Sequence, residues 1–80
     1  MKIEVYSTQS CPICVKTKEL LNKWNLPFEQ KMIDQDRALM VEFSRVTNGA
    51  RSVPQILIDG KHIGGFNELT ELHMEGFFKS

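Results

Sequence analysis

In the first half of the chain, apolar residues first follow the every-second-residue spacing of a strand and then the spacing of a helix. Alternating apolar and charged residues predict a strand over residues 2–6. Apolar residues at helical spacing then predict a helix that begins at Cys11 or Pro12 and ends within residues 25–27, because proline suits the first helical turn. A second strand is expected over residues 28–33.

The second half begins with another helical pattern and continues with a hairpin. Asp34 or Asp36 can cap a second helix, and Asn48-Gly49 is a typical helix end. Two apolar runs flank Asp59-Gly60, a dipeptide that suits the positive φ angles of a two-residue hairpin turn. Asn67 is then expected to cap a last helix. The order β-α-β-α-β-β-α predicts an α/β fold with a mixed sheet of about four strands.

Composition narrows the class of protein. The chain has 80 residues, of which 41% are hydrophobic and 25% are charged, and it contains neither a repeat nor a linker. We therefore expect one domain over residues 1–80. Ten basic and ten acidic residues cancel, so no charge excess favours nucleic acid as a partner. No apolar run resembles a secretory signal or a membrane span, so we expect a cytoplasmic protein without a membrane partner. Nothing demands an oligomer, and a monomer is expected.

The two cysteines lie in the stretch QSCPICVK. If Cys11 caps the first helix, its sulfur faces unpaired N–H groups and the positive end of the helix dipole. Both effects favour thiolate, so the pKa of Cys11 should lie below the free value of about 8.5. Cys14 follows one turn later beside the apolar face, at a separation that permits a disulfide. This asymmetry predicts that Cys11 attacks disulfides and that Cys14 resolves the mixed disulfide.

Two other interpretations of the cysteine pair stay open at this point. The cysteines could be inert core residues. They could instead hold zinc, although structural zinc sites usually add a second ligand pair, and His62 and His73 lack the usual paired spacing. A C-x-x-C pair near a βαβ pattern favours redox chemistry over both.

Two further stretches are candidates for binding. Pro54 forces Val53 toward an extended conformation, which suits either a site or a trans proline that opens a strand. Gly64-Gly65 precedes a helix whose free N–H groups could bind a carboxylate. A plain turn before a capped helix explains the glycines equally well.

Taken together, the three stretches resemble the glutaredoxin family. The matching segments are VYSTQSCPICVKTKELL, RSVPQILIDGKHIGG and GGFNEL. The resemblance implies the thioredoxin fold, β-α-β-α-β-β-α, with a four-stranded mixed sheet flanked by three helices. It also implies a cis Pro54, glutathione as co-substrate and no metal.

The resemblance also implies a set of site residues. Cys11 and Cys14 would be catalytic, Val53 would pair with the backbone of the glutathione cysteine, and Arg51 would be the best-placed cation for a glutathione carboxylate. The expected glutathione-binding residues are Thr8, Ile13, Arg51, Ser52, Val53, Pro54, Gly65, Phe66, Asn67 and Glu68. The chain departs from the family pattern at four of these, where the usual residues are lysine, tyrosine, threonine and aspartate: Thr8, Ile13, Ser52 and Glu68.

The function that the resemblance implies is reduction of protein disulfides and glutathione mixed disulfides. Ribonucleotide reductase is an expected client by family resemblance alone. One alternative is a glutaredoxin-like protein that thioredoxin reductase reduces, since Thr8 and Ile13 weaken the match to a glutathione site. Another is a module that carries an iron–sulfur cluster or a metal, against which Pro12 and Cys14 argue.

Overall fold

Residues 1–78 are described by the computed structural model, and they form a four-stranded mixed sheet with helices on both faces. The elements follow the predicted order. The strands are β1 (Ile3–Ser7), β2 (Glu29–Met32), β3 (Gln55–Ile58) and β4 (Lys61–Gly64). The helices are α1 (Pro12–Lys23), α2 (Arg37–Val46) and α3 (Phe66–Met74).

The strand order in the sheet is β2-β1-β3-β4. β1 is central and pairs in parallel with β2, with Val5 opposite Gln30. On its other side β1 pairs antiparallel with β3, where Val5 lies opposite Ile56. β3 pairs antiparallel with β4 through the hairpin. The parallel β1-α1-β2 unit followed by an antiparallel hairpin is the mixed sheet that the element order predicted.

Each face of the sheet has its own apolar core. On one face, Leu21 of α1 and Leu69 of α3 pack against strand residues of β1 and β3 that alternate along each strand: Ile3, Val5, Ile56 and Ile58. On the other face, Phe43 of α2 packs against Tyr6 and Leu57. The side of α2 that carries Phe43 therefore covers this face of the sheet.

Local sequence explains where most elements end. Asp59 and Gly60 adopt φ angles of 52° and 83°, as the hairpin turn requires, which confirms the turn. The Asp36 side chain accepts a hydrogen bond from the Ala38 N–H at 2.9 Å, so Asp36 is the cap of α2. Past its C-terminus, Asn48 has a positive φ angle of 59°, in agreement with the predicted helix end.

The start of α3 differs from the prediction. The cap is Gly65, and Asn67 lies inside the first turn of the helix. Glu68 occupies the third helical position, from which its carboxylate accepts a hydrogen bond from the Gly65 N–H at 2.7 Å. This contact is the glutamate half of a capping box, and it fixes the helix start two residues earlier than Asn67 would.

A network of polar side chains lies beside the apolar core on the α2 face of the sheet. Lys31 Nζ lies 2.7 Å from carboxylate oxygens of both Glu4 and Glu42, and the Tyr6 hydroxyl donates to Glu42. Burial and the hydrogen bond to Glu42 raise the pKa of Tyr6 to about 12. The hydrogen bonds from Lys31 and Tyr6 lower the pKa of Glu42. Burial alone would lower the pKa of Lys31, but its two carboxylate partners raise it overall.

Within residues 1–78, no helix is both long and apolar enough to cross a membrane.

Candidate active site

Cys11 is the cap of α1, as predicted. Its backbone is extended, with φ −130° and ψ 98°, and Pro12 occupies the first helical position. The Cys14 N–H donates to Cys11 Sγ at 3.1 Å, and the Val15 N–H donates to the Cys11 carbonyl oxygen at 3.2 Å. The sulfur therefore accepts one of the N–H groups that a helix start leaves without a backbone partner.

Cys11 and Cys14 are joined in a disulfide, with their Cα atoms 5.2 Å apart. Their surroundings differ. Cys14 has no exposed surface and lies on the buried side of α1 with Thr17 and Leu21, whereas Cys11 is half-buried at the helix start. An incoming thiolate can therefore reach the sulfur of Cys11 and not that of Cys14.

The Val53–Pro54 turn faces the disulfide. The peptide bond between these residues is cis. The Val53 carbonyl oxygen lies 3.8 Å from Cys11 Sγ. A disulfide sulfur carries no proton, so in this state the contact is not a hydrogen bond. In the reduced protein a Cys11 thiol at this position would be able to donate to that oxygen.

A groove of about 670 Å³ begins beside the disulfide and continues to the start of α3. This volume is in the range of about 300–1,000 Å³ that small-molecule sites occupy. Eight of the ten predicted glutathione-binding residues line it: Ile13, Ser52, Val53, Pro54, Gly65, Phe66, Asn67 and Glu68. The structure thus brings together the helix start, the Val53–Pro54 turn and the glycine turn, which are distant in sequence.

The glycine turn packs tightly against the Val53–Pro54 turn. A Cβ atom on Gly65 would lie 3.0 Å from the Pro54 carbonyl oxygen, closer than ordinary contacts. Gly64 has a φ angle of 118°, which L side chains rarely adopt. Both glycines therefore allow the start of α3 to approach Pro54, where its unpaired N–H groups border the groove.

Thr8 and Arg51 are the two predicted residues that do not line this groove. They border a smaller cavity of about 230 Å³, which also includes Met40. Ser52 and Val53 line both spaces, so the smaller cavity adjoins the groove at these two residues. Arg51 lines the smaller cavity and not the groove.

Several residues line the groove that were not predicted from the sequence. Gln55, His62, Ile63 and Gly64 also line it. Lys16 Nζ lies 5.6 Å from the centre of the Phe66 ring, which places a cation at the rim of the groove. Their proximity in sequence to predicted site residues could have identified them, since Gln55 follows Pro54, and His62 and Ile63 precede the two glycines.

No group of three or more His, Cys, Asp or Glu side chains in the described part of the chain is arranged to hold a metal ion.

The sequence matches known proteins over most of its length. A family model described as Glutaredoxin matches residues 3–63. The probable glutaredoxin ssr2061 of Synechocystis sp. is 37% identical over 75 residues, which cover 94% of this chain and 85% of that protein.

Solved structures extend the likeness to the fold. The buckwheat glutaredoxin–glutathione complex superposes with a TM-score of 0.79 at 30% identity, covering 92% of this chain and 69% of that chain. The thioredoxin-like protein BC3987 superposes with a TM-score of 0.77 at 33% identity, covering 88% of this chain and 97% of that chain. These matches confirm the thioredoxin-type fold that the sequence resemblance implied.

Proposed function

The chain belongs to the glutaredoxin family, and on that premise we propose that it is a thiol–disulfide oxidoreductase that takes its electrons from glutathione. Membership of the family supports the exchange chemistry itself. The observation that carries the glutathione proposal is a groove that runs to the start of α3 and is lined by Val53, whose carbonyl oxygen lies 3.8 Å from the sulfur of Cys11. The glutathione complex of the buckwheat relative supports the same ligand.

Reduction of the oxidised protein begins at Cys11. A glutathione thiolate attacks Cys11 Sγ, the new sulfur–sulfur bond forms, and Cys14 leaves as a thiolate that takes up a proton. A second glutathione thiolate then attacks the sulfur of the bound glutathione, which releases glutathione disulfide and a Cys11 thiolate. The Cys14 N–H that donates to Cys11 Sγ stabilises this leaving group.

Reduction of a client uses the same two sulfurs in the opposite direction. The Cys11 thiolate attacks a client disulfide, forms a mixed disulfide and releases one client thiol. Cys14 then attacks Cys11 Sγ, which restores the intramolecular disulfide and releases the second client thiol. When the client is a glutathione mixed disulfide, a second glutathione performs the resolving step, so Cys14 is dispensable for that reaction.

The groove suggests how glutathione lies. Its cysteine would pair with the Val53 backbone beside Cys11, as a short strand adds to an edge. Its γ-glutamyl carboxylate would accept from N–H groups at the start of α3, where Lys16 adds a positive charge. Its glycine carboxylate would then lie toward the adjoining smaller cavity, which Arg51 borders.

A coupled assay tests the proposal. The protein is supplied with a small glutathione mixed disulfide, glutathione and glutathione reductase, and turnover is followed as NADPH consumption. We expect turnover by the wild type, its loss in Cys11→Ser, and retained single-thiol activity in Cys14→Ser. Absence of wild-type turnover, or turnover that Cys11→Ser leaves unchanged, would overturn the proposed function.

The second candidate is reduction by thioredoxin reductase in place of glutathione. Thr8 stands where the family usually has a lysine, and the likeness to the thioredoxin-like protein BC3987 covers 97% of that chain. The oxidised protein is incubated with each reductase system separately, and free thiols are counted. Reduction by the glutathione system alone would eliminate this candidate, whereas reduction by thioredoxin reductase alone would replace the first proposal.

The proposal also covers the protein client, the cellular location and the oligomeric state. We propose ribonucleotide reductase as a protein client, on family resemblance alone. We also propose a cytoplasmic monomer with one domain over residues 1–80. Gel filtration beside size standards tests the monomer, and a second elution position at working concentration would contradict it.

A further inference from the structure

A chain of side-chain hydrogen bonds runs from β4 to the residue before Val53. His62 Nε2 lies 2.7 Å from Gln55 Oε1. Gln55 Nε2 donates to the carbonyl oxygen and the hydroxyl oxygen of Ser52, at 3.2 and 3.3 Å. Gln55 is buried, and His62 is half-buried at the groove. We call His62, Gln55 and Ser52 the amide relay.

The β3–β4 hairpin brings His62 and Gln55 together. His62 of β4 pairs with Leu57 of β3, and Gln55 lies two residues before Leu57. The pairing of β3 with β4 has a register shift between Ile56 and Leu57, and the side chains of Gln55 and His62 meet diagonally across it. A long side chain can bridge that diagonal, as the Gln55 amide does here.

The Ser52 carbonyl sets the direction of every hydrogen bond in the relay. A carbonyl oxygen only accepts, so the Gln55 group that faces it must be the NH₂ group. The Gln55 oxygen then faces His62, and an oxygen of this kind also only accepts. His62 Nε2 must therefore carry a proton, and in the neutral ring Nδ1 is bare.

Ser52 connects the relay to the reacting centre. It is exposed and lies outside the strands, immediately before the Val53 whose carbonyl oxygen is 3.8 Å from Cys11 Sγ. Gln55 holds both oxygen atoms of Ser52 from within β3. Gln55 therefore restrains the residue that precedes Val53, and His62 contacts the oxygen of the same amide.

We propose that His62 is a positioning residue that sets the affinity of the site for glutathione through Gln55. Its Nε2–H holds the amide that fixes Ser52 and the Val53 backbone, which pairs with glutathione. The inference rests on the proposed function, since it concerns the same groove. Because His62 touches neither sulfur, its loss should weaken glutathione-substrate binding without altering the reactivity of Cys11.

The test compares two replacements of His62. His62→Leu removes the donor, whereas His62→Gln can place an amide N–H near the position of Nε2. Lys61→Leu is the matched control, because Lys61 is the exposed neighbour on β4 outside the relay. For each protein, KM and kcat are measured with a glutathione mixed disulfide, and Cys11 alkylation is timed with iodoacetamide.

We expect His62→Leu to raise KM roughly three- to tenfold, the factor that corresponds to one neutral hydrogen bond. Its kcat and alkylation rate should stay within about twofold of wild type. His62→Gln should have a KM close to that of the wild type, and the KM of Lys61→Leu should equal that of the wild type. An unchanged KM in His62→Leu, or a KM in His62→Gln as high as in His62→Leu, would overturn the inference.

A double substitution separates action through Gln55 from direct contact with the substrate. In a Gln55→Leu background, His62→Leu should raise KM no further, because the amide that it orients is gone. An equal rise in both backgrounds would mean that His62 contacts the substrate itself and would overturn the positioning role.

Histidine NMR of the unmodified protein gives a readout that needs no variant to fold. At alkaline pH, the neutral His62 ring should be protonated at Nε2, and protonation at Nδ1 would overturn the relay. Failure of the proposed function is distinguishable, because it appears as absent glutathione-dependent turnover in the wild type.

Discussion

Lys31 lies at the centre of the polar network on the α2 face of the sheet. Its ammonium group lies 2.7 Å from Glu4 and from Glu42, and its side chain is 14% exposed. Lys31→Met keeps most of the aliphatic stem and removes the charge. Glu4, whose side chain is only 9% exposed, then keeps a carboxylate without its partner. The variant therefore tests whether this network stabilises the fold.

The magnitude follows from the burial of the two carboxylates. Removing one partner of a fully buried pair costs about 3–5 kcal/mol, whereas an exposed pair contributes about 0–1 kcal/mol. The Glu4 side chain is close to the first case, and the Glu42 side chain, 31% exposed, is close to the second. We expect Lys31→Met to lower the free energy of unfolding by about 2–3 kcal/mol. For a domain of this size, Tm should fall by roughly 10–20 °C.

Urea denaturation followed by circular dichroism measures the loss. Lys18→Met is the matched control, because Lys18 Nζ donates to Gln30 in an exposed hydrogen bond. It should cost less than about 0.5 kcal/mol. Adding Glu4→Gln to Lys31→Met should recover part of the loss, since it removes the uncompensated carboxylate. Equal losses in Lys31→Met and Lys18→Met, or no recovery on adding Glu4→Gln, would refute the reasoning.

Three further predictions concern titration and packing. The chain has one tyrosine, and ultraviolet titration of Tyr6 should show a midpoint near 12. Because the pKa in the folded protein is raised above the ordinary value of 10.0, the neutral phenol stabilises the fold below pH 10.0, and this contribution is lost as the pH rises toward 12. A midpoint near 10.0 in the folded protein would contradict this. Gly65→Ala should raise KM for a glutathione mixed disulfide about tenfold, because its Cβ would press on the Pro54 carbonyl oxygen at 3.0 Å, and an unchanged KM would contradict the tight approach. In Cys14→Ser, ultraviolet titration of the Cys11 thiolate should give a midpoint below the free value of about 8.5, and a higher midpoint would exclude stabilisation by the helix start.

The sequence predicts those parts of the fold that depend on local chemistry. The element order and the turn at Asp59–Gly60 agree with the structure. Of the two alternatives predicted at each helix start, the structure has Pro12 as the first residue of α1 and Asp36 as the cap of α2. Each depends on residues within one or two turns of the chain. Alternation also placed Glu4 among the polar positions of β1. It did not reveal that Glu4 is buried, because its partner Lys31 comes from another strand.

Long-range geometry explains what sequence reasoning missed in the site. Asn67 is a good cap in isolation, but Glu68 holds the Gly65 N–H and fixes an earlier start for α3. Arg51 is near Val53 in sequence, yet it borders the smaller cavity and does not line the groove. The contact between His62 and Gln55 depends on the pairing register of the hairpin, which composition does not encode.

The most direct test of the account is to trap the glutathione adduct. Cys11→Ser and Cys14→Ser proteins are each treated with glutathione disulfide under native conditions, and intact mass and peptide mapping locate the product. The account predicts rapid addition of one glutathionyl group to Cys11 in Cys14→Ser and none in Cys11→Ser, because Cys14 is fully buried. An adduct on Cys14, or no adduct in either protein, would contradict the assignment of Cys11 as the sulfur that exchanges with glutathione.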